Sequence, residues 1–160
     1  MIVRKKKNKK DIKYILSHLR EEDKLECVAV HGQNYKKAVF DSIMNTDYDI
    51  IIGYDKKNKK PVCMGGIAHI SSDAEGVGIV MMLSTEDIRN HQYSLLTGLK
   101  KLFAEYDEKY WLTYNFIYSK NYMAKRWLKW LGFRFDLNNN LFMSEEFEYF
   151  YRIKEFKGLL

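Results

Sequence analysis

Residues 119–132, Ser-Lys-Asn-Tyr-Met-Ala-Lys-Arg-Trp-Leu-Lys-Trp-Leu-Gly, followed by Phe133-Arg134-Phe135, constrain the fold more than any other stretch of the chain. Ala124, Trp127, Leu128 and Leu131 recur at helical spacing, while Lys120, Lys125, Arg126 and Lys129 supply a charged face. Gly132 stands where a chain leaving a helix needs a positive φ, which glycine adopts without a Cβ clash. The segment reads as strand end, short helix, glycine stop and strand.

Upstream, Ile2-Val3-Arg4 suits a short strand, and Asp11 is placed to cap a helix with the stripe Ile12, Ile15, Leu16 and Leu19. Arg20 to Asp23 reads as a charged break, followed by helical segments around Leu25, Val28 and Ala29 and from about Asn34 through Met44. A hairpin then pairs Asp49–Tyr54 with Pro61–Ala68, and Pro61 sits at the start of its strand, where proline is tolerated. Val77–Leu83 is a nearly continuous apolar strand, expected to be buried on both faces. Thr85 or Asp87 opens a long helix lined by Ile88, Leu95, Leu96, Leu99, Leu102, Phe103 and Tyr106. Strands over Tyr110–Ile117 and Phe133–Phe135, a polar turn over Asp136–Asn140, a return strand from Leu141-Phe142-Met143 and an aromatic strand over Phe147–Ile153 complete the order.

Strands and helices interleave with at least one crossover, which predicts an α+β (α/β) fold with a mixed, mostly antiparallel central sheet flanked by helices. With 160 residues and no repeat or Pro/Gly/Ser linker, a single domain over 1–160 is expected. An apolar content of 46% excludes a disordered tail, and no run reaches the length of a membrane span. Met1–Lys7 lacks the apolar stretch of a secretory signal, so synthesis inside a cell is expected. Cys27 and Cys63 have no partner at metal-ligand spacing, so no metal site is predicted and both read as buried thiols. The net charge of +6 concentrates in Arg4–Lys10 and Lys56–Lys60, which read as a solvated tail and turn, with nucleic acid an alternative partner.

The order of elements, the charged hairpin turn, the buried strand feeding a long helix, and Ala124…Trp127-Leu128-Lys129-Trp130-Leu131-Gly132-Phe133 together resemble the GCN5-related N-acetyltransferase (GNAT) superfamily. More narrowly, Leu19-Arg20-Glu21-Glu22-Asp23 and the Trp127–Phe133 ending resemble the GNAT-like internal virion proteins of short-tailed bacteriophages. The superfamily resemblance implies an acyl-CoA donor whose thioester carbonyl is polarised by backbone N–H groups near Met82 and Leu83. It also implies a role for Asn121, either on the pantetheine arm of that cofactor or as an N-cap of the last helix.

Two departures from the pattern shape the functional expectation. A glycine-rich turn normally receives the cofactor's pyrophosphate after the central strand, but Leu83–Gln92 holds no glycine and places Glu86 and Asp87 there. Arg89, Asn90 and His91 are the remaining candidates for contact in that stretch. The tyrosine that commonly protonates the leaving thiolate is replaced by Leu128, beside Trp127; Tyr118 and Tyr122 are substitutes or packing residues. His69 and Glu75 are candidate bases, and no catalytic residue is assigned.

The expectation is a non-catalytic phage protein, virion-associated or an assembly component, made in the host cytoplasm and holding no cofactor. Its partners would be virion or host proteins met through the aromatic surface of Trp111, Trp127, Trp130 and Phe147–Tyr151. The alternative is an N-acetyltransferase with an atypical site that uses acetyl-CoA, and a second alternative is a basic module binding nucleic acid or a host protein.

Overall fold

The computed structural model describes residues 2–45, 48–136 and 146–154. In chain order these form β1 (Ile2–Lys6), α1 (Lys9–Ser17), α2 (Glu21–His31), α3 (Tyr35–Asn45), β2 (Asp49–Asp55), β3 (Lys60–Ala68) and β4 (Val77–Ser84). A 3-10 helix over Glu86–His91, α4 (Gln92–Tyr106), β5 (Leu112–Tyr118), α5 (Tyr122–Trp130), β6 (Arg134–Asp136) and β7 (Phe147–Ile153) follow. The strands make one sheet in the order β1-β2-β3-β4-β5-β7-β6. The β4–β5 pair is parallel and the pairs β1–β2, β2–β3, β5–β7 and β6–β7 are antiparallel, which is the mixed, mostly antiparallel α+β architecture that the sequence predicts. The return strand expected at Leu141-Phe142-Met143 lies outside the described residues.

The chain divides into two compact units, one drawn from residues 1–68 and 80–98 and the other from 69–79 and 99–160. In the first, Ile12, Ile15 and Leu16 of α1 join Val39 and Ile43 of α3, Ile50 and Ile52 of β2, Met64 of β3 and Leu83 of β4 in one apolar core. Helix α1 starts earlier than the sequence reading placed it. Asn8 is the N-cap: its Oδ1 accepts the Asp11 N–H at 2.9 Å, and its Nδ2 donates to the Asp11 carboxylate at 2.6 Å. Asp11 is thus the reciprocal partner of the cap inside the first turn. Leu19 leaves the helical stripe, since α1 stops at Ser17 and Leu19 forms an isolated bridge with Thr85.

Arg20–Asp23 is not a break. Glu21, Glu22 and Asp23 are the first turn of α2, where acidic side chains favour the positive end of the helix dipole. The long helix after β4 also begins differently from expectation, as a 3-10 helix over Glu86–His91 that passes into α4 at Gln92. Thr85 fixes that start: its N–H donates to Val62 O at 2.9 Å, and its own carbonyl accepts the Ile88 N–H at 3.2 Å.

In the second unit, α5 ends as its sequence foretold. Gly132 has φ +90°. Its N–H donates to Lys129 O at 3.1 Å, and the next N–H, of Phe133, donates to Leu128 O at 2.9 Å. This pair of bonds is a Schellman motif, and it satisfies carbonyls that a helix end would leave open. The reversal delivers Phe133 into an aromatic core, 5.2 Å from the Phe103 ring and 5.3 Å from that of Phe150, both edge-on.

Candidate functional site

The backbone of β4 alternates, so N–H and C=O groups of successive residues point to opposite edges of the strand. Thr85 N–H points to the β3 edge, where Val62 O accepts it. Ser84 points the other way: its N–H donates to Asp23 Oδ2 at 2.9 Å and its C=O accepts the Arg20 N–H at 3.0 Å. Two residues back, Met82 repeats the orientation of Ser84, and Leu83 repeats that of Thr85. Of the two predicted residues, Met82 therefore turns its N–H away from β3, while Leu83 turns its N–H toward β3 and its side chain into the core.

What holds the end of β4 is a buried ion pair within Arg20–Asp23, the stretch that reads in the sequence as a charged break. Arg20 is 1% exposed, Asp23 3% and Ser84 0%. Arg20 Nη2 donates to Asp23 Oδ1 at 2.7 Å, and Arg20 Nε donates to Asp23 Oδ2 and to Ser84 Oγ, each at 3.0 Å. Ser84 Oγ in turn donates to Asp23 Oδ2 at 2.8 Å. The guanidinium, the carboxylate and the hydroxyl thus compensate one another in a place where each alone would carry a large desolvation penalty. No local signal marks them, because an Arg followed three residues later by an Asp is equally at home on a wet helix surface.

A second, exposed charge network continues from the first turn of α2. Arg89 donates to Glu86 Oε2 at 2.6 Å and to Glu22 Oε1 at 2.9 Å, and the Glu21 N–H donates to Glu86 Oε1 at 3.3 Å. Burial pushes the Glu22 carboxyl up, but a backbone N–H, the Arg89 hydrogen bond and the charges of Arg20 and Arg89 outweigh it and hold it below its usual range. His91 Nε2 lies 3.3 Å from Asp55 Oδ2. Burial raises Asp55 too, and hydrogen bonds from Asn58 and Lys57 together with His91 bring it below its ordinary value. Both carboxyls are depressed in the folded chain, so their contribution is present above the unfolded pKa and lost as pH falls through the folded one. The urea midpoint is expected to hold from pH 7 to about 5 and to fall below about pH 4. A midpoint that rises on acidification would contradict this.

In the second unit, Asn121 occupies the N-cap position of α5, with its N–H donating to Tyr118 O at 2.9 Å and its C=O accepting the Lys125 N–H at 3.0 Å. Its side chain makes no cap hydrogen bond, which corrects the capping expectation: at 2% exposure the amide is enclosed within the unit, and φ −80°, ψ 64° is not the extended geometry of a capping residue. Leu128 is half-buried on α5. Tyr122 is largely exposed, and Tyr118 packs its ring 5.9 Å from that of Phe147. His69 lies just beyond β3 with Nδ1 2.9 Å from Val77 O, and the Glu75 side chain is exposed. Trp127 is buried, whereas Trp111 and Trp130 are exposed, so the expected aromatic surface is only partly at the surface. The lysine-rich turn of residues 56–60 is exposed.

Burial pushes both thiols, Cys27 and Cys63, up to about 12, with nearby carboxylates adding to the effect and a Gly53 backbone contact opposing it at Cys63. Among the described residues no group of three His, Cys, Asp or Glu is arranged to hold a metal ion, and no helix is long and apolar enough to cross a membrane.

Toward an acyl-CoA, β4 offers the Met82 backbone donor on the edge away from β3. The residues that follow do not fit its diphosphate. Glu86 and Asp87 are exposed carboxylates at the start of the 3-10 helix, and the Arg89 guanidinium is engaged by two carboxylates of its own.

No protein-family model matches the chain, and no curated protein matches it. Solved structures do. An acetyltransferase of the GNAT family from Staphylococcus aureus Mu50 is 14% identical, with a TM-score of 0.69 over 97% of this chain and 100% of that one. A GNAT superfamily phosphinothricin acetyltransferase from Sinorhizobium meliloti, in complex with acetyl-CoA, is 10% identical, with a TM-score of 0.69 over 96% of this chain and 88% of its own. A spermidine N-acetyltransferase from Vibrio cholerae, in complex with CoA and spermine, is 9% identical, with a TM-score of 0.68 over 96% and 95%. At these identities the likeness establishes the fold: this chain has the GNAT acetyltransferase fold.

Proposed function

We propose that this chain transfers an acyl group from a thioester donor of the acetyl-CoA kind to the nitrogen of an amine. The reading is carried by the alternation of β4, fixed by the bonds of Ser84 and Thr85, which turns the Met82 N–H away from β3 on a strand whose end is clamped, within a fold whose similar structures are acetyltransferases by name. Acetyl-CoA, when bound, supplies an activated thioester carbonyl. Met82 N–H is the donor assigned to that carbonyl oxygen. A backbone donor in a strand fixed by Ser84, Asp23 and Arg20 has little to reorganise when charge develops on its acceptor.

With leucine at 128, that position of α5 offers no proton to the leaving thiolate, which takes up the proton that the amine nitrogen sheds as the C–N bond forms and the C–S bond breaks; only the neutral amine has the lone pair for that attack. The rate is therefore expected to climb with pH up to the amine's own pKa. The virion role and the phage branch rest on sequence resemblance alone, and the similar structures named above lend them nothing.

Calorimetric titration tests the reading. Acetyl-CoA and acetyl-pantetheine are both expected to bind at millimolar concentration or below, and absence of heat with either would remove the proposal. Because Glu86 and Asp87 oppose a diphosphate, the Glu86→Gln/Asp87→Asn variant is expected to bind acetyl-CoA up to about fivefold more tightly. Its affinity for acetyl-pantetheine, which has no diphosphate, should not change.

A further inference from the structure

In the second unit β5 and β7 pair along their length, with Tyr114 opposite Tyr151 and Phe116 opposite Tyr149. Cross-strand partners share a face, and every second residue returns to it. These four rings therefore lie on one face of the sheet, while Ile117 and Phe150 are buried on the other. The rings touch one another: Phe116 and Tyr149 have centroids 5.3 Å apart, Tyr114 and Tyr149 5.9 Å, and Tyr149 and Tyr151 stack at 5.8 Å and 22°. All four keep part of their surface open.

A face built only for packing needs no charge beside it. Here the Tyr114 hydroxyl donates to Asp73 Oδ2 at 2.8 Å, and Asp136 of β6 stands opposite Tyr149. Burial pushes the Tyr149 hydroxyl up, and Tyr151, Asp136 and Asp73 push it further, so both carboxylates act on the same ring. Four π systems and two carboxylates make a negative patch on a chain whose net charge is +6. Its electrostatic complement is a weakly hydrated cation, which an aromatic face attracts through the ring quadrupoles and a carboxylate attracts by charge. Arg134, opposite Tyr151 on the edge strand β6, places an exposed guanidinium on the same face, against which the two carboxylates leave these named groups net negative.

We infer that the face formed by Tyr114, Phe116, Tyr149 and Tyr151, with Asp73 and Asp136 at its margin, binds an organic ammonium ion. The site is independent of acyl transfer and is tested by binding alone, so its failure leaves the N-acetyltransferase reading untouched. The probes are choline and its neutral carbon isostere, 3,3-dimethylbutan-1-ol, titrated against the tyrosine ring resonances of the full chain.

Choline is expected to saturate, and the isostere to bind about tenfold more weakly or less. Tyr149→Phe, which keeps the π face, should hold affinity within about twofold, whereas Tyr149→Leu should lose about tenfold. Asp73→Asn should weaken choline about threefold and flatten its salt dependence. Equal binding of choline and the isostere would overturn the site, as would unchanged choline affinity in Tyr149→Leu and Asp73→Asn. A dimer of this chain that closes over the face and excludes choline would overturn it too. Should Tyr149→Leu fail to fold, the isostere comparison and the Asp73→Asn variant decide the matter without it.

Discussion

Asp23→Ala is expected to cost about 3–5 kcal/mol of unfolding free energy, because it leaves a guanidinium buried without its carboxylate. Arg20 is 1% exposed, and Asp23 accepts hydrogen bonds from both its Nε and its Nη2. A domain of this size has about 5–15 kcal/mol to lose, so the variant should unfold at much lower urea or not fold at all. Ser84→Ala should be milder, at about 1–2 kcal/mol, since Asp23 keeps the Ser84 backbone N–H. The informative variant is the double one, Arg20→Met/Asp23→Leu. It removes both charges and with them both desolvation penalties, so it should be more stable than either single substitution. If the double variant is as unstable as the sum of the singles, the two charges are not coupled.

That pair also shows where sequence reading stops. The end of α5 was legible because its signal is local: helical periodicity, a glycine at the exit and a phenylalanine after it fall within one contiguous segment. The β2–β3 hairpin was legible for the same reason, with a charged turn between two apolar runs. Arg20 and Asp23 were not, because their burial is decided by Ser84, more than sixty residues away, and by the bridge from Leu19 to Thr85. The sequence points to Asp11 as the cap, and only the reciprocal bonds between the two side chains move that role to Asn8.

The candidate site divides along the same line. Met82 and Leu83 were singled out together, since a strand's composition does not say which edge a given amide faces. Register does, and register depends on Val62 of β3 and on Asp23 of α2. The aromatic face was visible only as a surplus of rings. Knowing that Tyr114 meets Tyr151 and Phe116 meets Tyr149 requires the β5–β7 pairing, which joins segments separated by α5 and β6.

The two tryptophans of Trp127-Leu128-Lys129-Trp130 give the second large effect, and they should answer mutation very differently. Trp127 is 5% exposed, on the face of α5 that also buries Met123 and Ala124, whereas Trp130 is 55% exposed. Trp127→Ala removes the largest buried side chain of the helix from a packed interior, and the surrounding residues can close only part of the cavity. The expected loss is about 3–5 kcal/mol, read as a drop in the urea midpoint. Trp130→Ala removes a ring that lies under the Lys100 ammonium at 5.7 Å, a cation–π contact at an exposed site. Its loss should cost no more than about 1 kcal/mol. Neither residue touches the Schellman bonds at Gly132, so α5 should stop at the same place in both variants. Comparable losses at the two positions would mean that Trp130 is covered in solution, and that the exposed face of α5 is an interface.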